Sequence, residues 1–261
     1  MNVEKANVEI RKRALLEVTD LAFRYVFGLG GMLFLKLFLF YAVPLVVMLW
    51  AAQHFLEVSW TWIWFWAFLL GSGVQGIFTV AAGRLMFEHD VTFRAVSRQF
   101  FSRLGGYIGA LFLSRFLMGL SALVVIALPI VWVRMAHVHE ASLLEGAGTG
   151  TAVKRSSRFS ENYTGATFAM LLVLLIATFT IVFGCELIGQ ALLQDVFQLG
   201  APLGDLFEDG GSLLALLGFF LSLVFCATAR FLSYIDSRTR RDGWDIQVRF
   251  MAIRARAEEA L

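Results

Sequence analysis

The chain has 261 residues, of which 59% are hydrophobic and 16% charged, with a net charge of +2 and a mean hydropathy of +0.73. Soluble domains carry about 25% charged residues, so this composition excludes an ordinary soluble domain. Apolar runs of about 20 residues recur, the length that a helix needs to cross a membrane core of about 30 Å. These runs lack the alternation of a barrel strand. The sequence therefore predicts an all-α, polytopic transmembrane helical bundle.

The first predicted element is an amphipathic helix that precedes the apolar runs. Leu15, Val18, Ala22 and Val26 recur at helical spacing among charged residues. We expect residues 1–29 to form a cytoplasmic amphipathic helix that lies along the inner leaflet. Acidic residues are mixed with its basic ones and no small-residue cleavage site follows, so we expect no cleaved signal peptide.

Lysine and arginine cluster in four polar segments, whereas two connections between apolar runs contain neither. The basic segments cover residues 5–24, 84–103, 134–158 and 230–256. The connections 53–59 and 190–211 have no basic residue, and the second contains four acidic ones. Since basic loops remain in the cytoplasm, we expect a multi-pass inner-membrane protein with cytoplasmic N- and C-termini.

The number of membrane crossings depends on one apolar run. Four runs are clear spans, at residues 30–55, 58–83, 165–189 and 211–232. The run 104–135 lies between two basic segments, so it must cross twice or not at all. We favour six spans, with a tight turn at Gly119 and Arg115 near it. The alternative is one long tilted helix, which gives five spans and violates this charge rule. The predicted bundle covers residues 30–234, and residues 235–261 form a cytoplasmic tail.

A second amphipathic segment covers residues 88–104. Val91, Ala95 and Phe100 alternate there with Arg94 and Arg98, which predicts a second interfacial helix. The arginines of both interfacial helices are candidates for binding anionic phospholipid headgroups.

The most distinctive polar motif follows the last span and is named here the exit motif, residues 234–245. Asp236 and Arg240 are one helical turn apart, so they pair if the last span continues as a helix. Gly243 can end that helix in a left-handed conformation. We expect this motif to act as a structural clamp where the chain leaves the membrane.

The sequence contains no recognisable catalytic or cofactor-binding arrangement. Residues 71–76 match a dinucleotide-binding string, but no strand precedes them and they lie in a predicted span. His89 and the pair His137 and His139 form a metal site only if they converge. We predict neither a metal nor another cofactor, and no enzymatic activity, because no nucleophile–base set is visible.

Several short strings together carry a family resemblance. They are LEVTDLAFRY at 16–25, a proline at the end of a central span (Pro129), the Glu145–Gly146 pair followed by Arg155–Ser156, and the exit motif. With these strings the chain resembles the bacterial membrane-domain family named after glycerophosphoryl diester phosphodiesterase. That family favours glycine after the proline, where this chain has isoleucine.

The resemblance implies a six-helix module of a bacterial inner membrane. The family's catalytic phosphodiesterase is a separate soluble barrel, and we expect none in a chain of 261 residues. The resemblance therefore implies no catalysis.

Our leading functional hypothesis is a non-enzymatic inner-membrane module that anchors or assists a partner complex. Glu145, Arg155 and Ser156 are expected to pack against the exit motif and form a cytoplasmic platform. The predicted platform consists of Glu145, Arg155, Ser156, Tyr234, Asp236, Arg238, Arg240, Gly243 and Asp245.

The expected partners are the lipid bilayer, anionic phospholipids and another membrane or cytoplasmic protein, but no nucleic acid. The alternative hypothesis is a transporter or lipid-handling membrane protein. It predicts a cavity lined by Gln75, Arg115 and Glu186, the polar residues within apolar runs.

Overall fold

The computed structural model describes residues 11–88, 90–161, 163–200 and 202–242, and every regular element in these ranges is a helix. The α-helices are α1 (Leu15–Arg24), α2 (Gly31–Leu37), α3 (Val43–Leu56), α4 (Trp60–Phe87), α5 (Phe93–Ser102), α6 (Leu104–Ala122), α7 (Ala127–Arg134), α8 (Val138–Leu143), α9 (Thr149–Glu161), α10 (Thr164–Ala191), α11 (Leu206–Asp209) and α12 (Leu213–Asp242). Three π-helical turns, Tyr25–Leu29, Phe38–Ala42 and Leu192–Val196, extend their neighbours.

Among the described residues, five helical stretches are long and apolar enough to cross a membrane. They are Gly31–Leu56, Trp60–Phe87, Leu104–Ala122, Thr164–Val196 and Leu213–Arg241. Their outer surfaces carry large exposed apolar side chains such as Phe112 and Ile176. These features fit a membrane protein, as the composition predicts, with five candidate spans instead of the favoured six.

Helices α4 and α12 run parallel to each other. At their first turns the Trp60 ring contacts Gly211, which directly precedes α12. Further along both helices Arg230 donates to Gln75 Oε1 at 3.4 Å. The two helices therefore begin at one end of the bundle and finish at the other.

Helix α10 runs antiparallel to α12. Gly189, near the end of α10, packs against Leu214 at the start of α12. Thr178, nearer the middle of α10, contacts Cys226 Sγ at 3.4 Å. The end of α4 and the start of α10 therefore lie at the same end of the bundle. The intervening segment 88–163 therefore begins and ends at that same end of the bundle, as the charge pattern predicts.

The two ends of the bundle differ in charge. Near one end, which we name the basic end, lie Arg84, Arg103, Arg155, Arg158 and Arg238. The loops at the other end contain Glu57, Asp195, Asp205, Glu208 and Asp209, and no lysine or arginine. We name this the acidic end.

The run 104–135 forms a hairpin and not one long helix. Helix α6 turns at residues 123–126, beyond the predicted turn at Gly119, and α7 folds back for eight residues. Arg115 lies within α6 and donates to Ser72 Oγ at 2.9 Å, so it is not at the turn. Helix α7 covers only about 12 Å. The favoured sixth span is therefore interrupted, and its chain resumes as α8 after a break at residues 135–137.

The amphipathic helix expected near the N-terminus packs into the bundle as α1. Val18 and Ala22 are buried and Leu16 is exposed. Helix α1 contacts α12, and the Tyr25 hydroxyl donates to the Ala82 carbonyl of α4 at 2.8 Å. Residues 1–10 of the predicted segment lie outside the described ranges.

Helix α5 corresponds to the second amphipathic segment. Thr92 Oγ1 accepts the backbone N–H of Ala95 at 3.3 Å and caps the helix start. Val96 and Phe100 are buried against the bundle, whereas Phe101 is exposed.

The last helix, α12, continues unbroken past residue 234, where the sequence predicted the boundary between the bundle and the cytoplasmic tail.

Gly218 marks a close approach of α12 to α10. A Cβ atom there would lie 2.9 Å from Val182 Cα and 3.1 Å from the Ile181 carbonyl oxygen, which are main-chain atoms. We expect Gly218→Ala to lower the free energy of unfolding by about 1–2 kcal/mol because the helices must separate. Denaturant unfolding in detergent measures this. Gly184→Ala on α10 is the control, since its Cβ meets nothing within 4 Å; an equal loss there would refute the explanation.

Candidate functional site

At the basic end, four predicted platform residues form one network around Glu145. The Glu145 carboxylate accepts hydrogen bonds from the Tyr234 hydroxyl and from Arg155. Arg238 Nη1 lies 3.6 Å from the same carboxylate and donates to the Tyr234 hydroxyl at 3.2 Å. We name this group the Glu145 network. It joins the loop after α8 to α9 and α12.

The loop that presents Glu145 depends on a glycine and on an arginine. Gly146 has a φ of +67°, a left-handed conformation that favours glycine. Arg103 donates to the carbonyl oxygens of Leu143 and Leu144, the latter at 2.8 Å. These carbonyls lie at the end of α8, where the helix itself offers no donors. Arg103 therefore fixes the position from which Glu145 reaches α12.

Asp236 and Arg240 of the exit motif form a separate cluster with the main chain of Arg13, which we name the Arg13 clamp. Arg240 Nε donates to Asp236 Oδ2 at 2.7 Å, the expected pairing one helical turn apart. Asp236 Oδ1 accepts the backbone N–H of Arg13 at 2.8 Å, and Arg240 Nη2 donates to the Arg13 carbonyl at 2.6 Å.

The predicted platform is thus divided by α12. Tyr234 and Arg238 are two residues from Asp236 and Arg240, which rotates them about 200° around the helix. The Glu145 network and the Arg13 clamp therefore lie on opposite faces of α12. Gly243 and Asp245 of the predicted platform lie outside the described residues.

Ser156 belongs to neither group, because it is buried at the break between α7 and α8. Its hydroxyl donates to the Arg134 carbonyl at 2.7 Å and accepts the His137 N–H at 3.0 Å. Ser160 likewise donates to the Val133 carbonyl at 2.9 Å. These serines satisfy backbone groups that the helix interruption leaves without helical partners.

A buried polar cluster that was not predicted from the sequence surrounds Arg230. Its guanidinium donates to the Ala136 carbonyl and lies 3.7 Å from Glu140 Oε2. Glu140 is 0% exposed, and its carboxylate oxygens have no hydrogen-bond partner within the described ranges. With Gln75 these residues form the Arg230 cluster. Glu140 and Arg230 are 90 positions apart, so spacing gave no signal of the pair.

Two buried histidines adjoin the Arg230 cluster. His139 Nδ1 lies 2.8 Å from the Tyr107 hydroxyl, which also donates to the Ser72 carbonyl. Neither ring nitrogen of His137 has a hydrogen-bond partner among the described residues. Burial and the nearby Arg230 lower the pKa of both histidines, that of His137 to about 3. Both rings are therefore neutral at neutral pH.

The histidines are not arranged as a metal site within the described ranges. There, no group of three or more His, Cys, Asp or Glu side chains is placed to hold a metal ion. His89 lies outside the described residues.

Burial raises the pKa of the Glu140 carboxyl group in the Arg230 cluster, and the positive charge of Arg230 opposes that rise.

The three residues proposed to line a transport cavity do not share one, because Glu186 lies apart from Gln75 and Arg115, which both adjoin Arg230. A cavity of about 80 Å³ lies between Arg115, Arg230 and His139, which is small beside ligand pockets of about 300–1,000 Å³. Glu186 lies near the acidic end, where it accepts the Leu206 N–H at 2.9 Å and a hydrogen bond from Ser212.

Comparison with known proteins found no similar protein, so the functional proposal below rests on the sequence motifs and on the geometry described above. No family model matches the chain, and no curated protein or solved structure is significantly similar to it.

Proposed function

We propose that this protein is a non-enzymatic module of the bacterial inner membrane that anchors or assists a partner complex. The basic end and both termini face the cytoplasm, in keeping with the retention of basic loops on that side. The chain enters the bilayer from the cytoplasmic side as α6 and returns to the cytoplasmic side through the interrupted segment of α7 and α8. Membership of the glycerophosphoryl diester phosphodiesterase membrane-domain family is part of this proposal and rests on the sequence motifs.

The observation that carries the proposal is the Glu145 network. Two arginines and a tyrosine converge on one carboxylate, and charge-assisted bonds of this kind hold side chains in defined positions. The Glu145 side chain is 11% exposed, whereas Arg155 is 48% exposed. The network thus combines a fixed interior group with a cation that a partner can reach.

A groove beside the network supports protein docking. It has a volume of about 430 Å³ and is lined partly by Arg84, Gln99, Leu144 and Arg238. Arg84 is already oriented, because it pairs with Glu88 at 2.7 Å and donates to Gln99 at 3.1 Å. The groove lining also contains Glu88 and Glu145, so a segment of a membrane or cytoplasmic protein that carries charges of both signs complements this surface.

In-cell crosslinking, followed by affinity purification in mild detergent and mass spectrometry, tests the proposal. We expect a stoichiometric protein partner, and about tenfold lower recovery with Arg155→Ala, since one charge-assisted bond contributes about 1.5–3 kcal/mol. Expression should be unchanged because Arg155 is half exposed. Arg98→Ala is the control, as Arg98 is exposed on α5 and has no ion pair among the described residues.

Asp236→Ala provides a second variant, because it opens the Arg13 clamp and leaves the Glu145 network in place. The proposal fails if both Arg155→Ala and Asp236→Ala recover the same proteins as the wild type. It also fails if the wild-type protein is recovered without any stoichiometric partner.

A further inference from the structure

An amphipathic groove lies between α6, α7 and α9, and none of its lining residues belongs to the Glu145 network. Its volume is about 520 Å³, within the usual range of ligand sites. Leu117 and Leu120 of α6 and Val131 of α7 form an apolar wall. Arg134, Lys154 and Arg158 line the same groove.

The three cations of the groove have no carboxylate partner among the residues that the structure describes. Arg134, Lys154 and Arg158 are exposed, and no ion pair joins any of them to an acidic residue in the described part of the chain. The groove lining contains no acidic residue. Three positive charges without a counter-charge create a positive potential that attracts an anion.

The apolar surface of the turn between α6 and α7 lies next to the groove and indicates that the bound anion has acyl chains. Leu123, Val124, Val125 and Ile126 are four consecutive apolar residues with exposures of 81%, 60%, 79% and 81%. Such a turn is stable in contact with acyl chains and costly in water. The turn follows directly after the groove residues of α6, so the basic groove opens beside a lipid-compatible surface.

We propose that this groove is a binding site for an anionic phospholipid. Its phosphodiester lies among Arg134, Lys154 and Arg158, and one acyl chain follows Leu117, Leu120 and Val131. Basic pockets between helices on the cytoplasmic side are a known form of lipid-headgroup site. This site is independent of the proposed protein-docking role, because it shares no residue with the Glu145 network.

Native mass spectrometry of the full chain in detergent, with added phosphatidylglycerol or phosphatidylcholine, tests the proposal. We expect the wild type to retain one phosphatidylglycerol about tenfold more tightly than phosphatidylcholine. The Lys154→Gln/Arg158→Gln variant should lose this preference. Lys154→Arg/Arg158→Lys is the matched control, because it keeps both positive charges in the groove and should retain the preference.

Ser157→Trp tests the shape of the site with its charges intact. Ser157 lines the groove, so a large side chain there should displace the lipid while the melting temperature stays near that of the wild type. The proposal is overturned if the wild type shows no preference for phosphatidylglycerol, or if the two double variants behave alike. It is also overturned if millimolar inorganic phosphate displaces the bound lipid completely, since the site would then recognise free phosphate.

Discussion

Arg230→Met is expected to lower the free energy of unfolding by about 3–5 kcal/mol, the largest effect of any substitution considered. Methionine removes the only cation within 4.0 Å of Glu140 among the described residues. A fully buried carboxylate then loses its counter-charge, and the Ala136 carbonyl loses its donor. Breaking a buried ion pair from one side typically costs this much. Denaturant unfolding of the purified protein in detergent measures the loss.

A double variant distinguishes the buried ion pair from lost packing. Arg230→Met/Glu140→Gln should recover a large part of the lost stability, because the remaining side chain carries no charge. Arg98→Met is the control for removing a cation, since Arg98 is exposed. A loss below about 1 kcal/mol for Arg230→Met, or no recovery in the double variant, would contradict the role assigned to the pair.

Acidification from pH 7 to pH 5 is expected to lower the free energy of unfolding by about 2 kcal/mol through His137 alone. Its pKa is about 3 in the folded protein and 6.5 in the unfolded chain. Between these values the unfolded state binds more protons, so stability falls as pH decreases below about 6.5. His139, whose pKa is also lowered, adds to the loss.

Glu140 acts in the opposite direction, because a raised pKa makes the folded state bind more protons. Glu140→Gln should therefore steepen the loss in acid, whereas His137→Gln should flatten it. Unfolding measured at several pH values tests both expectations. His54→Gln is the control, since His54 is exposed near the acidic end. A pH dependence identical in the wild type and His137→Gln would refute the assignment.

Charge and apolar length predicted the features of the fold that depend on local composition. Arginine-rich segments and acidic loops separate to opposite ends, and the Asp236–Arg240 pair forms at its predicted helical spacing. The interruption after α7 was not predictable in this way. It depends on hydrogen bonds from Ser156, Ser160 and Arg230, which are distant in sequence and become partners only when the bundle forms.

Only part of the candidate site was predicted from the sequence, because its other contacts join residues that are distant in the sequence. Glu145 and Arg155 do meet Tyr234 and Arg238. Helical periodicity alone would have shown that Asp236 and Arg240 face the other way. The Glu140–Arg230 pair required the tertiary fold, because an arginine near the end of an apolar run resembles an ordinary flanking cation.

The Arg13 clamp has a consequence for the order in which the protein is completed during synthesis. Asp236 accepts the main-chain N–H of Arg13 across 223 positions of sequence. Residue 13 therefore leaves the ribosome long before the last helix exists, and its final contacts form only when α12 has been made. Closing so long a loop is entropically costly and belongs late in assembly. Arg13 therefore acquires its final position only after α12 has been translated.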